Sequence, residues 1–361
     1  MFDNEGVLRK SGGTNSIVSV PLNNFGGNIE INSGSLTLSG GGTSSNGTIS
    51  VAANTVLSFA GAATWTWSGA LIGSGPGQVQ FNNGALVGTP LTLNFAPGVF
   101  QWVSDRMNRA VTNLGMVTLV STNIHRLWDN PGVSGTDFYN AGTMRHAEGS
   151  LDLQSRFVTF HNLAPGTYDL TGDGDIISTL WNGAGTFENA GLLRKSGGAN
   201  SVISTSFNNL GGTIEVDSGT LTLTGGNFTQ NGGALKMVLS GRGLGQYGQL
   251  AVNGAATLSG SLNVTLGNGF VPAPGDKFPV LTSSGLSGVF DQVSVPPGAF
   301  LYYTNNTVSL VFSGQSNLPP SLQFSIVTPT NGVAPSGSSF EVDVHGSDDN
   351  GIGHITANLS G

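Results

Sequence analysis

FDNEGVLRKSGGTNSIVSVPLNNFGGNIEINSGSLTLSGG, residues 2–41, returns without a gap as FENAGLLRKSGGANSVISTSFNNLGGTIEVDSGTLTLTGG, residues 187–226, with 25 of 40 residues identical. An ungapped copy means that one structural unit is made twice, and repeated units point to a scaffold built by stacking. A shorter period lies inside each copy. Phe2-Asp3-Asn4 is answered by Leu22-Asn23-Asn24, and Phe187-Glu188-Asn189 by Phe207-Asn208-Asn209, both 20 residues on. Phe81-Asn82-Asn83, Phe138-Tyr139-Asn140 and Phe160-His161-Asn162 carry the same apolar-x-Asn signature. A unit of about 20–25 residues holding two or three short strands is the size of one rung of a parallel β-helix.

Strands are readable within a rung. In Thr213-Ile214-Glu215-Val216 and Thr220-Leu221-Thr222-Leu223, period-2 alternation sends Ile214, Val216, Leu221 and Leu223 to one face. Stacking then places Phe2 over Leu22 and Phe187 over Phe207, with the asparagines bonding along a turn, where left-handed backbone is tolerated. Arg9 precedes Glu30 by 21 residues, Arg194 precedes Glu215 by 21, and Arg145 precedes Asp169 by 24. These spacings predict cross-rung ion pairs on the outer face, worth about 0–1 kcal/mol each when exposed. A third, diverged copy of the unit covers residues 138–170.

Composition agrees with a turn-dense all-β chain: 57 Gly in 361 residues, 9% charged and 38% hydrophobic residues, the last enough for a continuous core. The net charge is -8, and no basic cluster exceeds Arg9-Lys10 or Arg194-Lys195, which argues against nucleic acid as a partner. Cysteine is absent, so no disulfide framework or thiolate site exists. No segment approaches the roughly 20 apolar residues of a membrane span. The first residues lack the basic and apolar regions of a signal peptide, and the chain opens inside a repeat. The expectation is an internal, monomeric piece of a longer chain, with any export signal or anchor outside it.

Residues 1–231 read as β-helix repeats, with a less regular insertion at 89–130. That insertion holds the densest polar chemistry, Asp105, Arg106, Arg109, His125, Arg126 and Asp129. Ser104 followed by Met107, Ala110 and Val111 reads there as an N-cap before a short helix leaving the coil. From 232 to 313 the Arg/Glu and apolar-x-Asn marks vanish while β alternation persists. Gly245-x-Tyr247, Leu250, Val252, Gly254, Ala256, Leu258, Gly260, Leu262 and Val264 keep a fixed spacing. Gly269-Phe270-Val271-Pro272, Gly275-Asp276-Lys277-Phe278 and Gly288-Val289-Phe290 follow.

On those residues the chain resembles the β-helical passenger and surface proteins of bacteria that carry autotransporter-associated strand repeats. The resemblance covers roughly residues 1–313. It implies a right-handed parallel β-helix, export, display at the cell surface or outside the cell, and a structural or adhesive role without catalysis. Glycans and host or neighbouring-cell surfaces are the partners it implies. Residues 314–321 read as a linker. The stretch 322–361, with alternation at Leu322, Phe324 and Ile326 and at Phe340, Val342 and Val344, resembles the opening strands of a bacterial immunoglobulin-like domain, cut short of the about 100 residues of a full sandwich.

Two chemical alternatives compete with a bare scaffold. A polysaccharide lyase or hydrolase needs carboxylates facing across about 5–10 Å, or a base beside a cation; Asp105, Arg109, His125 and Asp129 are the candidates. Calcium needs several hard oxygens on one turn. Asp348, Asp349 and Asn350 form one such loop, which a hairpin turn accounts for without a metal; Gly172-Asp173-Gly174-Asp175 is another, although the aligned turn Asp217-Ser218-Gly219-Thr220 has no paired acids. The five histidines show no zinc-binding spacing, and no other cofactor is implied.

Overall fold

The computed structural model describes residues 1–87, 90–128, 136–179 and 183–313, together with the backbone of strands Ser321–Ile326 and Val342–Ser347. Every regular element among the described residues is a β-strand, most of four residues, and no helix interrupts them. Strands this short follow from the sequence, where Gly, Asn and Ser break each run after two inward side chains. Phe2–Asn4, Val7–Lys10 and Asn15–Val18 make the first rung, and Leu22–Phe25, Asn28–Ile31 and Ser35–Leu38 lie parallel on them in the second.

Three parallel stacks result, here called the first, second and third faces in the order the first rung visits them. The third face is a 13-stranded parallel sheet from Asn15–Val18 to Gln292–Ser294. The first and second faces are joined because the 12-residue strand Ala63–Ser74 runs round the corner, pairing with Gly84–Val87 on one face and Leu91–Phe95 on the other. This is a parallel β-solenoid of stacked repeats. At its C-terminal end the hairpin of Ala299–Tyr303 and Thr307–Phe312 closes the coil, the latter strand pairing antiparallel with Lys277–Thr282.

Inward side chains form columns. On the third face Val79, Phe100, Val117, Met144, Tyr168, Leu193, Ile214, Leu235 and Leu262 are successive register partners, all buried. On the second face the rings of Phe138, Phe160 and Phe187 stack nearly parallel at 5.1 and 5.0 Å, close to the strand spacing itself. Beside them runs an amide ladder. Asn113, Asn140, Asn162 and Asn189 each donate Nδ2 to the Oδ1 of the next asparagine at 2.8 Å, ending on Asn209. Each also donates to a backbone carbonyl one rung further on, at Thr143, Thr167, Leu192 and Thr213. All the dipoles therefore point one way along the coil.

Two of the three expected ion pairs form, Arg9–Glu30 at 2.5 Å and Arg194–Glu215 at 3.2 Å. Arg145 is the register partner of Asp169, but among the described residues no ion pair joins them.

The region expected to leave the coil stays in it. In place of a helix, Asp105–Met107 and Val111–Asn113 are strands on two different faces, paired with rungs on either side. Met107 and Val111 share a helical face on paper, yet each buries into the core from its own sheet. Ser104 caps no helix: its hydroxyl accepts from Asn83 N at 3.0 Å and donates to Asn82 Oδ1 at 3.1 Å. Asn83, with φ of 58°, sits in a turn, so the triplet Phe81-Asn82-Asn83 is not a member of the amide ladder.

Candidate functional site

Among the described residues the catalytic candidates Asp105 and His125 are neighbours in register but face different surroundings. His125 points into the core, fully buried, its Nε2 2.9 Å from Trp102 O. Burial holds its imidazole below the ordinary histidine range, and nothing in solvent can reach it as a base. Asp105 is its register partner at a corner, with φ of 75°, and burial raises its carboxyl. Arg106 lies over the Trp128 ring at 4.2 Å, while Arg126 approaches Asp152 at 3.9 Å. Arg109 lies in the turn between two strands, and Asp129 lies outside the described residues. Among the described residues, a base buried in the core and a corner carboxyl facing Arg106 and Arg126 make no acid–base pair open to solvent.

The calcium turn is also committed elsewhere. Asp173 Oδ1 accepts from Ala199 N at 2.6 Å and Asn200 N at 2.9 Å in the next rung, and Asp175 Oδ1 from Val202 N at 2.8 Å. Among the described residues no group of three or more His, Asp or Glu is placed to hold a metal ion. Asp348, Asp349 and Asn350 lie outside the described residues.

Two constellations were not anticipated. In one, the central residues of successive apolar-x-Asn triplets form a single outward row, Tyr139, His161 and Glu188. Tyr139 and His161 stack at 4.7 Å with planes 5° apart; His161 Nδ1 is 2.9 Å from Glu188 Oε2 and its Nε2 3.9 Å from Asp137 Oδ2. The bond to Asp137 raises the imidazole, with both carboxylates adding to the effect. The signal was present in the sequence, since the middle residue of each triplet must face out when the outer two face in.

The other is a groove of about 630 Å³ on the third face, lined by Arg194, Glu215, Asp217, Ser240, Gln246 and Asn268. Arg194 joins Glu215 and Asp217, its Nε 2.8 Å from Asp217 Oδ2. Burial, then the neighbouring Asp217, pushes the Glu215 carboxyl up against the pull of Arg194 and Lys236. Asp217 Oδ1 has no hydrogen-bond partner among the described residues. One wall is the loop 240–247, folded on itself by Ser240 N to Gln246 O at 2.8 Å and Gly243 N to Gln246 Oε1 at 3.0 Å.

Arg242 ties this loop to the next rung's loop through Asp276 at 2.8 Å and sits 5.3 Å over Phe270. Phe270 in turn packs edge-on against Phe278 at 5.9 Å. The residues Gly269-Phe270 and Gly275-Asp276-Lys277-Phe278 thus build a rigid support for the wall. The parts of the groove come from loops far apart in the chain, and Gly241-Arg242-Gly243-Leu244-Gly245 alone reads only as a turn. No helix among the described residues is long and apolar enough to cross a membrane. No family model matches the chain, and no curated protein is similar to it.

Proposed function

We propose that the chain is a non-enzymatic structural and adhesive segment of a large exported bacterial cell-surface protein, a stalk or adhesin scaffold working outside the cell. The observation that carries this reading is that nearly all its repeated polar chemistry is used between rungs: the asparagine ladder, the Arg–acid pairs and the turn carboxylates all bond to the next coil. Such a coil gains stiffness from every residue it repeats. Thirteen strands on the third face leave twelve intervals, about 58 Å of length at ~4.8 Å each.

The coil in this reading is right-handed, as parallel crossovers nearly always are. The antiparallel pairing of Ser321–Ile326 with Val342–Ser347 supports an immunoglobulin-like module after the stalk. The motif spacing at 245–290 supports kinship with the autotransporter-type surface proteins.

A polysaccharide-cleaving role is the second reading, favoured by one observation, the raised Glu215 carboxyl beside Asp217. One experiment separates the two. The full chain is incubated with acidic and neutral polysaccharides while reducing ends and unsaturated products are measured, and its shape is followed by solution scattering. A rod without product supports the stalk; product lost in Glu215→Gln replaces it with an enzyme.

A further inference from the structure

We propose that the groove bounded by Arg194, Glu215, Asp217 and the loop 240–247 binds a short stretch of neutral polysaccharide. Its volume of about 630 Å³ lies in the range of small-ligand sites. Its lining is more polar than apolar, with the hydroxyls of Ser196, Ser218 and Ser240 and the amides of Gln246 and Asn268. These groups both give and accept hydrogen bonds, as sugar hydroxyls do.

Charge narrows the class further. The two carboxylates share one wall, and Arg194 is already held by both, so the groove offers no free cation of its own to a uronate or sulfate. The wall is also set in advance: Arg242–Asp276 fixes the loop, and Gly245 takes φ of 84°, a left-handed value that favours glycine. Leu244, 89% exposed at the tip of that loop, gives an apolar edge to meet the C–H face of a ring. Preorganised donors and acceptors lower the ordering cost of binding.

The inference rests on the adhesive half of the reading above and leaves the stalk half untouched. Its test is calorimetric titration of the full chain with soluble galactomannan, xyloglucan and mixed-linkage glucan, and with polygalacturonate as the acidic probe. At least one neutral polymer binds, polygalacturonate binds more weakly, and Ser240→Trp and Ser218→Trp each weaken binding about tenfold or more. Glu5→Gln, at the far end of the coil, leaves binding unchanged, and thermal melts confirm that all three variants fold. Stronger binding of polygalacturonate, or the absence of binding to every neutral polymer, overturns the proposal. Neutral binding that survives both groove variants also overturns it while leaving an adhesive surface elsewhere on the coil, so the two failures are distinguishable.

Discussion

Phe2 and Phe187 hold the same place in two near-identical 40-residue stretches, yet they lie on different faces of the coil. Phe2 heads the first-face column through Leu22, whereas Phe187 stacks between Phe160 and Phe207 on the second face. The rest of the copy follows: Arg9 and Glu30 are second-face residues, and Arg194 and Glu215 third-face residues. Val18 and Leu38 sit on the third face, while their counterparts Ile203 and Leu223 sit on the first. A spacing of 185 residues is therefore eight rungs and one further face. The module specifies a strand, a turn and the next strand, and each side of the coil accepts it.

That interchangeability predicts the outcome of a graft. Replacing residues 187–226 with those of 2–41, keeping Ser at 206 because its N–H bonds to Gly185 O at 3.2 Å, leaves a folded coil. The expected cost is about 1–3 kcal/mol for the repacked side chains, read from denaturant unfolding. Loss of the cooperative transition would mean that each face has its own requirements.

The amide ladder predicts that its middle is worth more than the separate first-face pair Asn4–Asn24 near one end of the coil. Asn162→Ala removes the acceptor of Asn140 and the donor to Asn189 and Leu192 O, leaving buried groups unpaired at about 1–3 kcal/mol each. Asn4→Ala, near one end of the coil, removes bonds to Asn24 and Asn28 O where water reaches more easily, and costs less. Urea midpoints of the two variants make the comparison. Equal losses would show that the ladder carries no cooperative contribution.

Much of this was legible before any coordinates. Rung length, the Phe and Asn columns and two of the ion pairs follow from spacing alone, because stacking converts a sequence period directly into contact. Even the position of His125 was available: it shares the parity of Leu127, two residues on in the same strand, and alternation sends both inward. The face shift was not legible, since a period counts residues and not corners, and Ala63–Ser74 rounds one at Gly69, φ of 67°, inside a single continuous strand. The groove was hidden for another reason: its walls are loops whose sequences say only that they turn.

Acid should weaken the fold through the histidines of the core. His146 is fully buried, its Nδ1 2.9 Å from Tyr168 OH, and burial together with His125 lowers it from 6.5 to about 3. Between those values the unfolded chain takes a proton that the folded one refuses. Its contribution is present in full above pH 6.5 and is lost as pH falls toward 3, at about 1.4 kcal/mol per pH unit. His125, lowered by burial, acts with the same sign. The outward His161 opposes them, because its raised value favours the folded state at low pH and that gain fades as pH rises through it. Urea melts from pH 7.5 to 4.5 should show declining stability, with a shallower slope in a His146→Met, Tyr168→Phe double variant. An unchanged slope would place the acid sensitivity elsewhere.

Asp173 distinguishes a structural turn from a calcium turn. Its carboxylate accepts two backbone N–H groups of the following rung, and its Oδ1 lies 3.8 Å from the fully buried Lys195 ammonium. That ammonium also donates to Gly197 O at 2.7 Å, Gly172 O at 3.1 Å and Ser201 Oγ at 3.2 Å, and among the described residues Asp173 is the carboxylate that forms an ion pair with it, with Asp175 acting from further off. Removing the carboxylate in Asp173→Ala leaves the donors to water and the lysine without its ion-pair partner, a loss of about 1–3 kcal/mol. Asp173→Asn keeps an acceptor and recovers part of it. Because those bonds are made by protein groups, the loss should be the same in millimolar calcium and in chelator. A melting temperature that rises with calcium in the parent chain, and no longer does so in Asp173→Asn, would instead give this carboxylate to a metal.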